Sequence, residues 1–331
     1  MAGFNATASS CIAELIQSTG TDQCDVTTLG DLVGGAITTK DVAFTIASDP
    51  FLTTYKTFVR KKKIHPLIGL YNFEQTTPDN DMATSSIGIK FEIREGKVEL
   101  SLIYNKSHCF HKSVFTKKGF KKWNIILFFT NQVVGAKSAD GLKFKGFDCG
   151  MFTVSTFKVQ QGNDPQMTKV TLQLTPEGTN EWNTRMTPLD NHDLNAELNL
   201  IDGAIETAIK YVSAPTAGTT IVVDVMSQCN GAAKSGLVTS TNWQVGGKQT
   251  TAKTITTVAE STTIPGRYTL TLSSALIATD TVQPRLGTAT EFVVEDVLGV
   301  MYSGSAELAT VWSGAGLSDF NDDFNTDFGL G

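Results

Sequence analysis

The chain has 331 residues and a formal net charge of −6, with 40% hydrophobic and only 18% charged residues. This length can bury two cores, and the low charge with abundant Gly, Ser and Thr favours a turn-rich β protein over a helical one. No apolar run approaches the roughly 20 residues of a membrane-spanning helix, and the N-terminal residues lack the pattern of a secretory signal. We therefore expect no membrane span and assembly in the cytosol.

The cysteines are odd in number, widely spread and without a Cys-x-x-Cys pair: Cys11, Cys24, Cys109, Cys149 and Cys229. A disulfide framework is usually denser and even in number, whereas an isolated Cys commonly packs as a small apolar side chain. The pattern predicts buried thiols, with a bridge between Cys11 and Cys24 as the alternative.

Charge is divided unevenly along the sequence. Residues 1–160 carry 19 Lys and Arg against 14 Asp and Glu, while residues 161–331 carry 8 against 19. Opposite potentials of this kind suit head-to-tail contacts between copies of the chain. A surplus of five positive charges over 160 residues is modest for a nucleic-acid-binding domain.

Residues 1–40 are small, polar and glycine-rich, which predicts an extended N-terminal arm. Residues 28–35 lack the Gly-Lys-Ser/Thr ending of a phosphate loop. The basic run at residues 60–63 could bind phosphate, but a solvated loop or a subunit contact is the commoner meaning of so short a run.

Residues 87–104 carry the strongest strand signal. Apolar and polar residues alternate, pause at the Arg-Glu-Gly-Lys segment 94–97, and then alternate again with the same side inward. Two such runs around a glycine-containing turn predict a β-hairpin. Its apolar residues are candidates for contacts between subunits: Ile87, Ile89, Phe91, Ile93, Val98, Leu100 and Leu102.

Residues 105–123 predict a short amphipathic helix with a basic face, because apolar residues lie among several lysines. The segment also holds His108, Cys109 and His111, where candidate metal ligands cluster. Zinc usually takes about four ligands as two spaced pairs, and His65 and His192 are isolated in the sequence. We therefore predict no metal site.

Residues 124–134 form the most apolar run and predict a central strand buried on both faces. With the runs around it, residues 64–175 predict six or seven strands and one helix. We expect residues 41–190 to form a β-barrel-like assembly domain, in which Pro176 and Pro188 break structure, followed by a connector over residues 191–204.

Residues 205–313 combine few charges with about seven candidate strands, which predicts an immunoglobulin-like (Ig-like) β-sandwich with Trp243 in its core. The fold class is thus mainly β: an antiparallel sandwich or barrel with one packed helix, then an Ig-like sandwich.

Residues 314–331 form an acidic tail in which an Asp-Phe pair recurs every four residues. Such a tail is commonly a disordered terminus, yet disordered segments are usually poor in aromatics. We expect it to dock on a neighbour, with its acids near residues 117–122, through Phe320, Phe324 and Phe328.

Catalytic patterns are missing from the sequence. There is no Gly-x-Ser-x-Gly elbow, His-Glu-x-x-His motif, Walker loop or dinucleotide fingerprint. We therefore predict neither enzymatic activity nor a cofactor.

The order of arm, barrel-like domain with a helix, and Ig-like domain resembles tailed-bacteriophage virion proteins, most of all the tail-tube or major-tail-protein group. The opening Met-Ala-Gly-Phe-Asn, with Ser-Thr-Gly at 18–20 and Cys-Asp at 24–25, looks like structural proteins of phages of Bacteroidetes-type hosts. The resemblance implies a virion protein assembled in the host cytoplasm, forming hexameric rings stacked into a tube. Its partners would be other copies, other virion proteins, DNA passing without specific binding, and host surface glycans. A capsid decoration or cement protein and a virion-borne carbohydrate-binding adhesin are the alternatives.

Overall fold

The computed structural model describes residues 30–46, 51–76, 81–84, 86–87, 89–94, 96–157, 167–190, 201, 203–288, 290–296 and 298–312. The chain is mainly β with little helix, as the composition predicts, and one of its sheets is nearly closed and barrel-like. It divides into two compact units, residues 1–203 and 204–331.

The described part of unit 1 contains strands and helices in the following order. The strands are β1 (Leu32–Thr39), β2 (Phe44–Thr45), β3 (Ile64–Ile68), β4 (Asn72–Thr76), β5 (Asp81–Thr84), β6 (Lys90–Arg94), β7 (Glu99–Tyr104), β8 (Gly119–Phe120), β9 (Trp123–Phe129), β10 (Gln132–Lys137), β11 (Lys143–Lys145), β12 (Phe147–Val154), β13 (Thr168–Leu174) and β14 (Met186–Asp190). The helices are α1 (Phe51–Arg60), α2 (His108–Phe115) and α3 (Pro176–Thr184).

Twelve of these strands form one sheet, with the order β2-β11-β10-β9-β12-β13-β7-β4. Strand β1 pairs with β9 and β3, β14 pairs with β10, and β8 pairs with β12. Residues 32–39 are therefore a strand of this sheet and not part of an arm. Ala36 and Ile37 are fully buried within it because both edges of β1 are covered.

The apolar run at residues 124–134 is two strands and not one. Every residue from Trp123 to Phe128 on β9 is buried, so the predicted burial on both faces is confirmed for that strand. The chain then turns at residues 130–131, and Val133 of β10 lies opposite Phe128. A turn without Gly or Pro carries little sequence signal, which explains the missed boundary.

The predicted hairpin at residues 87–104 does not form. Strand β6 pairs with β5, and β7 pairs with β13 on one edge and β4 on the other. The alternation predicted strands correctly but not their partners, because a period of two says which face is buried and nothing about which strand lies alongside.

Pro176 begins a helix, so the prediction that it breaks structure is wrong. Proline fits the first helical position, and the hydroxyl of Thr175 accepts a hydrogen bond from the Gly178 amide at 2.9 Å, capping the helix. Pro188 likewise lies within β14, opposite Val134.

Helix α3 lies very close to β12. A Cβ atom added to Gly178 would stand 2.1 Å from the carbonyl oxygen of Asp148, so only glycine allows this approach. One turn later the buried carboxylate of Glu181 accepts a hydrogen bond from the Asp148 amide at 3.0 Å and pairs with Lys145. These contacts fix the helix against the sheet.

The described part of unit 2 forms a nine-stranded sheet with the order β17-β20-β22-β15-β16-β19-β18, with β21 on β22 and β23 on β20. Its strands are β15 (Ile205–Tyr211), β16 (Thr220–Ser227), β17 (Trp243–Gly246), β18 (Ile255–Glu260), β19 (Arg267–Leu272), β20 (Thr281–Leu286), β21 (Val294–Glu295), β22 (Met301–Ser305) and β23 (Ala309–Thr310). The pairing of β15 with β22 is parallel, and the other strand pairs are antiparallel. The sequence predicts strands at residues 208–212, 219–226, 239–245, 250–258, 267–273, 291–297 and 308–312, so β20 and β22 are strands that were not predicted.

Trp243 lies in the core of unit 2, as predicted. Its ring is buried, and its indole N–H donates to the carbonyl of Leu237 at 2.8 Å. The Tyr268 hydroxyl accepts from the Leu237 amide and donates to the Lys234 carbonyl. These bonds satisfy the polar atoms of two large aromatic residues inside the core.

Candidate functional site: a basic and aromatic surface

The segment from α2 to the start of β9 concentrates positive charge. Residues 105–123 contain six lysines and neither Asp nor Glu. A helix does form within the predicted residues 105–123, but α2 ends at Phe115 and carries only Lys112 as an exposed lysine. The lysines at 117–122 follow the helix, around the short strand β8, so the predicted basic helix face is wrong for them. The connection to β9 is fixed by the Trp123 indole N–H, which donates to the Lys117 carbonyl at 2.6 Å, and by the Lys121 amide, which donates to the Gly150 carbonyl at 2.6 Å.

Apolar side chains are exposed among these lysines. Phe120 is 72% exposed and pairs across strands with Met151, which is 38% exposed, while Phe115 is 39% exposed. The Lys118 ammonium lies 3.8 Å from the Phe115 ring centroid, and that of Lys121 lies 5.5 Å from the Phe120 centroid. We call this set the basic–aromatic surface: Lys112, Phe115, Lys118, Phe120, Lys121, Lys122 and Met151.

A second basic segment, residues 60–63, adds positive charge near the lysines at residues 117–122. Half-buried His65 packs edge-on against Trp123, with ring centroids 5.4 Å apart. Burial, and then the charges of Lys117, Lys62 and Lys122, lower the pKa of His65 to about 3. Lys62 belongs to the basic run at residues 60–63, so positive charge from both segments reaches one histidine. Within that run Lys63 is paired with Asp41, whose pKa is lowered by this contact.

The residues predicted for contacts between subunits separate into three groups. Ile87 and Ile89 are 78% and 60% exposed beside the two-stranded β5–β6 ribbon. Phe91 and Ile93 lie on β6, and their side chains are outside the described part of the structure. The third group is buried in the core of unit 1 and consists of Val98, Leu100 and Leu102. Strand β7, which carries the two leucines, is already paired along both of its edges.

The predicted tail residues Phe320, Phe324 and Phe328 lie outside the described residues. A carbohydrate-binding adhesin would need exposed aromatic rings, for which Trp182 and Trp312 are the loose candidates. Trp182 packs on Phe147 at 4.9 Å between ring centroids, so it contributes to packing. Trp312 is 45% exposed at the end of unit 2.

The histidine pair of α2 is engaged in packing. His108 and His111 each lie 5.1 Å from the Phe157 ring centroid, and His111 Nδ1 is 3.3 Å from the Thr168 hydroxyl. Within the described ranges, no three His, Cys, Asp or Glu residues are arranged to hold a metal ion.

Cys149 is a buried free thiol, which confirms the prediction for that residue. Burial raises its pKa well above the usual range, so it has little thiolate character. Cys109 and Cys229 are disulfide-bonded, so the prediction of buried thiols is wrong for these two.

No protein-family model matches the chain, and no curated protein matches its sequence. In the part of the chain that the structure describes, no helix is long and apolar enough to cross a membrane.

Proposed function

We propose that the chain is a self-assembling structural subunit of the kind that builds a phage tail tube, with subunits joined by β-sheet pairing. The observation that supports this most is the β5–β6 ribbon of residues 81–94. Among the described residues, its two strands pair only with each other and belong to neither large sheet.

A separate ribbon of this kind gains from a partner. Two strands alone are only marginally stable in water, and their outer edges present backbone donors and acceptors that another strand can pair with. Ile87 and Ile89 are largely exposed at one end of the ribbon. Pairing with a second copy would bury these side chains and extend the ribbon into a larger sheet, which is the way repeated subunits close a ring.

The charge distribution supports repeated contacts and a passage for DNA. The positive surplus of residues 1–160 and the negative surplus of residues 161–331 suit head-to-tail stacking. A net charge of −6 is compatible with an acidic or neutral lumen, which would not bind DNA phosphates as a basic lumen would. We expect hexameric rings stacked into a tube, contacts with other virion proteins, and a final location in the virion after assembly in the host cytoplasm.

Light scattering with negative-stain imaging of the purified full chain tests the proposal. We expect rings or stacked tubes about 100 Å wide, a size that follows from the dimensions of the domains. Replacing both exposed ribbon residues, Ile87→Ser with Ile89→Ser, should abolish these assemblies without changing the circular dichroism spectrum.

The matched control is Ile264→Ser with Ile277→Ser, two isoleucines of unit 2 that are 43% and 44% exposed. This control should assemble like the unchanged chain. A ribbon variant that assembles normally would refute the role of the ribbon. A chain that stays monomeric at every concentration would refute the tube and favour a capsid decoration protein or an adhesin that binds host glycans.

A further inference from the structure

We propose that the basic–aromatic surface of unit 1 binds the acidic C-terminal segment of this chain, residues 319–328, through its Asp-Phe pairs. The inference goes beyond the proposed function and does not depend on it, because the segment can bind within one copy or between copies.

Charge complementarity is the first argument. Among the residues that the structure describes, no carboxylate pairs with Lys112, Lys118, Lys121 or Lys122. Residues 313–331 carry four acidic side chains and neither Lys nor Arg: Asp319, Asp322, Asp323 and Asp327. Several charges of one sign facing several of the other give a stronger attraction than an isolated surface pair.

The apolar part of the surface is the second argument. Phe120 and Met151 stand opposite each other on neighbouring strands and remain in contact with water. Covering them with phenylalanine rings would remove apolar area from water, and would also desolvate the ammonium–ring contacts of Lys118 and Lys121. An anionic segment without aromatic residues could pair with the lysines of this surface but would leave Phe120 and Met151 in contact with water.

The spacing of the segment fits one-sided binding. Phe320, Phe324 and Phe328 are four residues apart, and each follows an aspartate. Residues four apart lie on one face of a helix and also on one face of a strand. In a helix the three rings would share one side, with the preceding aspartates about 100° around the axis. In a strand the aspartates would face away from the rings. Binding through rings and carboxylates together therefore favours the helical conformation.

Single-stranded nucleic acid is the other ligand that lysines and exposed aromatics can bind. The balance of charge disfavours it here, since nucleic-acid-binding domains are commonly strongly basic while this chain has a sequence pI of about 5.3. The segment within the chain would also compete for the same lysines. Nucleic acid is therefore an outcome that the experiment must detect.

Zero-length carbodiimide cross-linking of the full chain, followed by peptide mass spectrometry, tests the proposal directly because it joins a carboxylate to a primary amine only where the two touch. We expect links from Asp319, Asp323 and Asp327 to the lysines of the surface. These should exceed links to Lys210 and Lys248, two exposed lysines of unit 2, by about tenfold, owing to the high local concentration of a bound segment. Mixing ¹⁴N- and ¹⁵N-labelled chains shows which copy supplies the segment.

Two full-chain variants separate specific binding from loose attraction. Replacing Phe320, Phe324 and Phe328 by Ser keeps every aspartate and should remove the preference for the surface lysines. The matched control, Asn321→Ser with Asn325→Ser, should keep it. A preference that survives loss of the three rings would overturn the role of the aromatic pairs, and links spread evenly over all exposed lysines would overturn the proposal.

Fluorescence anisotropy with a labelled oligodeoxythymidine measures the competing ligand. We expect no binding of the full chain at physiological salt. Binding that Phe120→Ser abolishes, together with an absence of selective cross-links, would overturn the proposal and assign the surface to single-stranded nucleic acid.

Discussion

Lowering the pH should reduce the free energy of unfolding of unit 1 through His65, at pH values where the carboxylates of unit 1 are still ionised. Burial, followed by the neighbouring lysine charges, holds the pKa of His65 at about 3 in the folded chain, whereas the ordinary value is 6.5. Between these values the unfolded chain binds a proton that the folded chain does not. The contribution of neutral His65 to the free energy of unfolding is therefore fully present above pH 6.5 and is lost as the pH falls from 6.5 towards 3.

The size of the loss follows from the two pKa values. Each pH unit inside this window costs up to about 1.4 kcal/mol, so lowering the pH from 7 to 5 should cost unit 1 about 2 kcal/mol. His65→Gln cannot take up the proton, so this variant should lose about 2 kcal/mol less than the unchanged chain over the same range. The loss that remains includes that of His111, whose pKa is also lowered, by burial and then by the charge of His108.

Urea unfolding at pH 7 and pH 5, followed by the fluorescence of Trp123 and Trp182 in variants that lack the tryptophans of unit 2, measures this difference. The control is His108→Gln, since His108 is exposed on α2, and it should keep the full pH dependence. A direct NMR titration of the His65 ring should find it neutral at pH 5. An unchanged slope in His65→Gln, or a His65 ring that titrates near pH 6.5, would refute the reasoning.

Two further predictions concern the attachment of α3. Gly178→Ala places a methyl group against the Asp148 carbonyl oxygen and should destabilise unit 1 by about 1–3 kcal/mol, measured by urea unfolding. Gly119→Ala, where the nearest atom would be 3.6 Å away, should change stability by less than about 0.5 kcal/mol, and an equal effect of the two would contradict the close approach. Glu181→Ala leaves Lys145 and the Asp148 amide without their acceptor and should cost about 3 kcal/mol, whereas Glu181→Gln keeps one acceptor and should cost less. A glutamine variant as unstable as the alanine variant would show that the Lys145 charge decides the effect.

The sequence predicts which residues are buried where burial depends on the composition of one short segment. The run that contains β9 is long and apolar, and Trp243 lies on a candidate strand at the place where Ig-like sandwiches keep a core Trp; both are buried. Helix α1 was missed although Phe51, Tyr55 and Val59 follow a helical spacing and form its buried face. The basic run at residues 60–63 begins at the last residue of the helix, and so short a run more often marks a solvated loop.

The sequence did not predict which strands pair with each other, because strand pairing depends on contacts between residues far apart in the sequence. Strand β7 pairs with β13 about seventy residues later, although β6 is its neighbour in the chain. The same limit applies to the basic–aromatic surface. Its lysines were visible in residues 112–122, whereas the apposition of Met151 and Phe120 exists only after β12 and β8 have paired.

The parallel pairing of β15 and β22 has a mechanical consequence for unit 2. These strands lie near the beginning and the end of the unit, and four successive residue pairs join them, from Ile205 with Tyr302 to Ala208 with Ser305. When the two ends of such a unit are pulled apart, parallel strands slide along each other, and their hydrogen bonds carry the load together instead of opening one after another. We therefore expect unit 2 to unfold under tension only when these four residue pairs separate together.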